Sequence, residues 1–175
     1  MARKTFQFAT TSSDVRESFR NRRIASLIGV EGGHQLENSL AVLRQYYTMG
    51  VRYMTLTHSC HNGASRLPFT PCLLHTYAPS AFADSSGIYE PIPSHHNGLS
   101  SFGETLIQEM NRLGILVDLS HTSDQTALQA LTLSRAPVIW SHSSARSVWG
   151  VPRRVRVHLT LNLLTFGDTA QECPR

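Results

Sequence analysis

Long apolar runs are missing from this chain: no stretch of eighteen apolar residues occurs, so no transmembrane helix is expected. A charged n-region followed by an apolar h-region is missing too, so no secretory signal is expected. Cysteine is scarce. Cys60, Cys72 and Cys173 form neither a CxxC pair nor an even framework, which argues against cysteine zinc sites and a disulfide scaffold. Lysine is nearly missing: Lys4 is the only one, and arginine carries almost all of the net charge of +4. The basic residues gather at the two ends and leave a near-neutral middle. A nucleic-acid face needs a basic stripe with interleaved aromatics, so no nucleic-acid partner is expected. The first 23 residues hold six basic residues and only Asp14 and Glu17 as acids. A mitochondrial transit peptide can have this composition; a solvated helix face is the preferred reading. The compartment stays open between a cytoplasmic chain and a truncated form of a secreted or anchored one.

What is present suits a folded domain. The 175 residues are 41% hydrophobic and 16% charged, enough for a real core. Residues 13–22 read as a helix capped by Ser12 or Ser13. Residues 24–30, IASLIGV, form a short apolar run that predicts a strand buried on both faces. Residues 36–49 place Leu36, Leu40, Leu43 and Tyr47 at helical spacing, and Gly50 closes that helix. Strands are predicted again at 51–57, 115–120 and 137–141. Helices are predicted at 101–113, capped by Ser100 or Ser101 with Glu104 at capping-box distance, and at 123–134. Residues 61–98 carry five prolines and read as irregular. Alternating strands and helices predict parallel βα units.

Each predicted strand stops at a residue able to bind a metal or a substrate. Glu31 ends the first and is followed by Gly32 and Gly33, which allow a sharp turn and close approach of a ligand. A carboxylate behind an apolar strand needs a compensating partner; alternatively, Glu31 is a helix-cap acid in a tight turn. His58 ends the second strand, His121 the third and His142 the fourth. A lone strand-end histidine is ordinarily a satisfied rim residue. Two of them, one βα unit apart, lie on strands spaced about 4.8 Å and can reach one ion. Imidazole and carboxylate suit zinc, and an open position would make it catalytic. His58 reads as a fourth ligand, a group that polarises substrate, or a rim histidine. Asp118 reads at most as support behind the ligands. Arg146, Arg153 and Arg154 follow His142, where one could clamp a substrate carboxylate. His95 and His96 sit in a Pro/Ser loop and are expected to face solvent.

The segments IASLIGVEGGH, LAVLRQYYTMGVRYMTLTHSC, GLSSFGETLIQEMNRLGILVDLSH and APVIWSHSSARSV resemble the membrane dipeptidase (renal dipeptidase) family of zinc peptidases, in the same order, over roughly residues 6–62 and 81–153. The resemblance implies an α/β fold, a (β/α)8 TIM barrel of which about four βα units are recognisable. It implies two Zn2+ ions and dipeptide substrates, and it admits a homodimer. Glu31 matches the carboxylate bridging the metals. His121 and His142 match the histidines holding the second metal. His58 matches the histidine that binds substrate and stabilises the tetrahedral intermediate, and Arg153 the arginine that engages the terminal carboxylate. The implied chemistry is metal-assisted hydrolysis.

The chain also departs from that pattern. The family's opening His-x-Asp pair, which binds the first metal, occurs nowhere in this sequence. Its late acid–base aspartate has no counterpart, Asp168 lying in another context. Residues 63–80 interrupt a pattern in which Asn62 and Ala81 would be neighbours, as a translated intron would, and residues 154–175 form an atypical tail. The expectation is a single incomplete barrel domain over 1–175, with partial metal occupancy. An alternative is a catalytically incompetent fragment that at most binds a partner. Other binuclear barrel hydrolases use a metal-bridging lysine, which this chain does not offer.

Overall fold

The computed structural model describes residues 5–58, 82–86 and 94–143. Three short elements open it: β1 (Phe6–Phe8), α1 (Ser12–Arg20) and β2 (Ile24–Ser26), with β1 and β2 paired in parallel. Thr11, one residue before the predicted cap, starts α1. Its hydroxyl accepts the Asp14 N–H at 3.1 Å, and the Asp14 carboxylate accepts the Thr11 N–H at 2.8 Å. This reciprocal pair satisfies donors that the first helical turn leaves open.

The apolar run 24–30 is two strands rather than one. β2 pairs with β1, and β3 (Ile28–Glu31) enters a different sheet, with a register irregularity between Ile28 and Gly29. The run is also less buried than its composition predicts: Ile24, Leu27 and Ile28 are all exposed, and only Val30 is buried. The predicted helix 36–49 is shortened in the same way. Gly33–Leu36 form a 3-10 turn, Glu37 and Asn38 adopt left-handed backbone, and α2 begins only at Leu40 and runs to Thr48.

From β3 onwards the chain follows the expected alternation. β4 (Val51–Thr55), α3 (Ser101–Leu113), β5 (Leu116–Asp118), α4 (Asp124–Leu133) and β6 (Val138–Ile139) follow in order. Ser100 caps α3 through the Gly103 N–H at 3.2 Å, and Ser123 caps α4 through the Thr126 N–H at 3.1 Å. Gly114 ends α3 in left-handed backbone at φ +84°, which glycine adopts without a side-chain clash. Strands β3, β4, β5 and β6 form one parallel sheet in sequence order. In-order parallel pairing with helical crossovers is how an arc of a (β/α) barrel is built. The core lies between this arc and its helices. Leu106, Ile107 and Met110 of α3 and Leu43 of α2 pack against Met54, Leu56, Val117 and Leu119. Phe82 inserts from the segment 82–86 and is 1% exposed.

Register sets the level of everything at the strand ends. Glu31 pairs with Thr55, Thr55 with Asp118, and Asp118 with Ile139. His58, His121 and His142 each lie three residues beyond their member of this row. Residues 63–80, residues 154–175 and Arg153 lie outside the described residues.

Candidate metal centre

Because the three histidines leave parallel strands at the same offset, they arrive on the same rim. His121 Nε2 lies 3.1 Å from Glu31 Oε1, His142 Nε2 lies 3.1 Å from the same oxygen, and the two Nε2 atoms are 2.8 Å apart. His58 Nε2 is 3.5 Å from Glu31 Oε1, and its ring stacks on His121 with centroids 4.5 Å apart. Four of the five predicted site residues are therefore brought together, and the fifth, Arg153, is not among the described residues.

The donor set fits a transition metal. A carboxylate oxygen carries no hydrogen, and two imidazole nitrogens cannot both present lone pairs to it and to each other without protons or a cation between them. The three atoms span 2.8–3.1 Å, somewhat inside the edges of about 3.3–3.6 Å of a tetrahedron with bonds of about 2.0–2.2 Å, so the three would spread by a few tenths of an ångström to seat an ion. Among the described residues, Glu31, His121 and His142 are a group able to hold one ion.

Glu31 is 53% exposed at its side chain, so burial does not create the need for a partner. The need comes from the convergence itself. Burial pushes the Glu31 carboxyl upward, but the hydrogen bond with His121 and the nearby His142 and His58 outweigh it and hold the acid below its ordinary range. Gly32 and Gly33 permit this corner. Gly32 sits at φ +103°, and a Cβ on Gly33 would stand 2.0 Å from the Phe82 ring.

His121 is the buried member, 1% exposed at its side chain, with φ +66°. Its carbonyl accepts the Ser86 N–H at 2.8 Å, the Ser86 hydroxyl at 3.1 Å and the Ser85 hydroxyl at 3.2 Å. The single Ser85 hydroxyl hydrogen is shared between this carbonyl and, at closer range, the His58 carbonyl, so residues 82–86 clamp two strand ends at once. Asp84 anchors that segment. Its carboxylate accepts Ser94 Oγ at 2.5 Å and the backbone N–H groups of His95, His96 and Gly98. Burial pushes Asp84 upward, and these bonds, Ser94 first, outweigh it and hold the carboxyl low. His95 is exposed as expected, whereas His96 is half-buried, so only the first of the pair faces solvent.

Asp118 lies deeper than the cluster and is fully buried. It reaches His142 through Ser141, whose Oγ is 2.5 Å from Asp118 Oδ2 and 2.7 Å from His142 Nδ1. Ser141, Thr55, Ser85 and Ser86 are not among the residues expected at the site. A signal was present for the first: each rim histidine follows a hydroxyl residue, as Thr57-His58, Ser120-His121 and Ser141-His142.

The profile of the family described as membrane dipeptidase (peptidase family M19) matches residues 1–164. The chain belongs to the membrane dipeptidase family. Dipeptidase verJ of Clonostachys rogersoniana is 48% identical over 145 residues, 83% of this chain and 32% of that protein. Dipeptidase 3 of Mus musculus is 50% identical over 127 residues, 73% of this chain and 22% of that protein. The chain thus spans about a third or less of the length of these dipeptidase relatives. A probable dipeptidase, PvdM from Pseudomonas aeruginosa, shares the fold with a TM-score of 0.75 at 23% identity, covering 91% of this chain and 36% of that one. A metallo peptidase from Rhodobacter sphaeroides, solved with a phosphinate mimic of L-Ala-D-Ala, has a TM-score of 0.70 at 23% identity, covering 90% and 40%. The sheet β3–β6 is accordingly part of the TIM-barrel-type fold of membrane dipeptidases.

Proposed function

We propose that this chain carries one half of the zinc centre of a dipeptidase, with Glu31, His121 and His142 as ligands and dipeptides as substrates. The convergence of one carboxylate and two imidazoles within 3.1 Å on the rim of a membrane-dipeptidase barrel arc carries this reading. Bound zinc supplies Lewis acidity at the scissile carbonyl and a water acidic enough to ionise near neutral pH. Glu31, half-exposed and shared by both histidines, is suited to bridge toward a second ion. His58 is 42% exposed at its side chain and stacked on His121. It would donate a hydrogen bond to the carbonyl oxygen as negative charge develops there. Arg153 would bind the terminal carboxylate with its guanidinium fork.

Equilibrium dialysis of the 175-residue chain tests the centre. The chain is expected to take up roughly one zinc, and the H121A/H142A double variant none. An unchanged uptake in the double variant would sink the assignment. Hydrolysis of Gly- and Ala-type dipeptides tests the reaction. A second reading is a zinc-binding barrel arc without turnover of its own. Zinc bound without hydrolysis selects that reading. Hydrolysis abolished by H58A with zinc retained selects the first.

A further inference from the structure

His142 uses both ring nitrogens. Nε2 faces Glu31 and His121, while Nδ1 points back toward the strand ends, 2.7 Å from Ser141 Oγ. Behind Ser141 stands Asp118. Its Oδ1 accepts the Ser120 N–H and the Ser141 N–H, both at 3.0 Å. Its Oδ2 accepts the Thr55 hydroxyl at 2.7 Å and the Ser141 hydroxyl at 2.5 Å. Each of these four partners has a hydrogen to give, and the two amides can only donate. The carboxyl is thus surrounded as an ionised group is, accepting at every position. The single Ser141 hydrogen goes to Asp118, so Ser141 Oγ has only lone pairs to offer His142. A ring nitrogen 2.7 Å from such an oxygen must carry a hydrogen. A neutral imidazole has one N–H, so with Nδ1 holding it Nε2 is a bare lone pair, which can accept the Nε2–H of His121 2.8 Å away and which, 3.1 Å from Glu31 Oε1, calls for a cation between the two.

We propose that Asp118 and Ser141 form a positioning relay that fixes His142 as its Nδ1–H tautomer and presents Nε2 as a ready ligand to a divalent transition-metal ion. The inference rests on the metal-centre reading above, and goes beyond it by assigning roles to two residues outside the ligand set. A metal-binding imidazole ordinarily has its second nitrogen held by a carboxylate, a carbonyl or water. Here a serine is interposed, and it joins strands as well as groups. Thr55 of β4, Asp118 of β5 and Ser141 just past β6 meet at one carboxylate, and His142 N–H is held by Ser120 Oγ at 3.2 Å. Ring orientation and tautomer are thereby tied to the alignment of three strand ends before any ion arrives.

The test uses the 175-residue chain, its S141A variant and the hydroxyl-retaining S141T variant. Imidazole 15N shifts are read in metal-free protein near pH 8, above the usual imidazole range of about 6.5. Wild type is expected to show His142 protonated at Nδ1. S141A is expected to move it toward the Nε2–H form and to weaken zinc binding about 10- to 100-fold. S141T is expected to restore both. Nε2–H in metal-free wild type overturns the proposal, as does an S141A variant with unchanged tautomer and unchanged zinc affinity. The wild-type spectrum requires no variant, so a misfolded S141A leaves the test decisive. A wild type that shows Nδ1–H but takes up no zinc defeats the metal-centre reading alone and leaves the tautomer assignment standing.

Discussion

At the residue scale, His121 combines two demands on one position. Its imidazole is wanted at the rim, and its backbone turns through φ +66°, a region a side chain enters only at a cost. The two hydrogen bonds from Ser86 to its carbonyl, with the Ser85 hydroxyl alongside, hold that conformation in place. Both H121A and H121G remove the imidazole, but only glycine relieves the backbone. H121G is therefore expected to be more stable than H121A by about 1 kcal/mol in urea melts. Equal stability would show that the corner is not strained. Asp118 poses the opposite problem, a buried charge made tolerable by four donors. Burial pushes its carboxyl upward, and the bonds from Ser141, Ser120 and Thr55 outweigh that and hold it low. Its contribution is then fully present above the ordinary carboxylate range and is lost as pH falls through the lowered value. D118A leaves several buried donors without an acceptor and is expected to destabilise the chain by about 3 kcal/mol.

At the element scale, α2 and α3 are joined by one acid between two arginines. Glu109 accepts from Arg44 at 2.7 Å and from Arg112 at 2.7 Å through two nitrogens. Arg112 foremost, with Arg44, pulls its carboxyl down to about 2 against the effect of burial. The stabilisation should be complete above about 4.5 and fade as pH falls toward 2. The melting-temperature gap between wild type and E109Q is therefore expected to be full near neutral pH, to narrow below about 4.5 and to close only as pH approaches 2. A gap that persists in acid would mean that glutamate acts here by packing rather than charge. The helices and strands that carry such features were largely readable, because 101–113 and 51–57 have clear period and caps. The run 24–30 was not. Its composition signals a strand, but nothing local says that Ser26 ends pairing with β1 while Gly29 must lie against the Tyr53 ring in another sheet. Likewise Glu37 and Asn38, both in left-handed backbone, interrupt a helical pattern that Leu36 appeared to begin. Of the candidate centre, the convergence of Glu31, His58, His121 and His142 on one rim was legible because strand ends are where βα units place their chemistry. Asp118 and Ser141 depend on a contact between β5 and β6, which local sequence does not encode.

At the scale of the whole molecule, the described sheet has β3 and β6 as its outer strands. Phe6, Phe8, Phe19 and Ile24 are each more than half exposed along the β1–α1–β2 flank. Exposed apolar side chains of this kind favour association. The 175-residue chain is expected to bind a hydrophobic dye and to elute earlier from gel filtration as its concentration rises. F6S/F19S should reduce both effects. Dye binding and elution unchanged by these substitutions would place the sticky surface elsewhere. The shared row through Glu31, Thr55, Asp118 and Ile139 carries a different implication. A slip of one residue between β4 and β5 would carry His121 about 3.3 Å along the strand axis, farther than one coordination sphere can absorb. Zinc uptake would then serve as a gauge of folding fidelity, filling only in molecules whose strands have locked at the correct step.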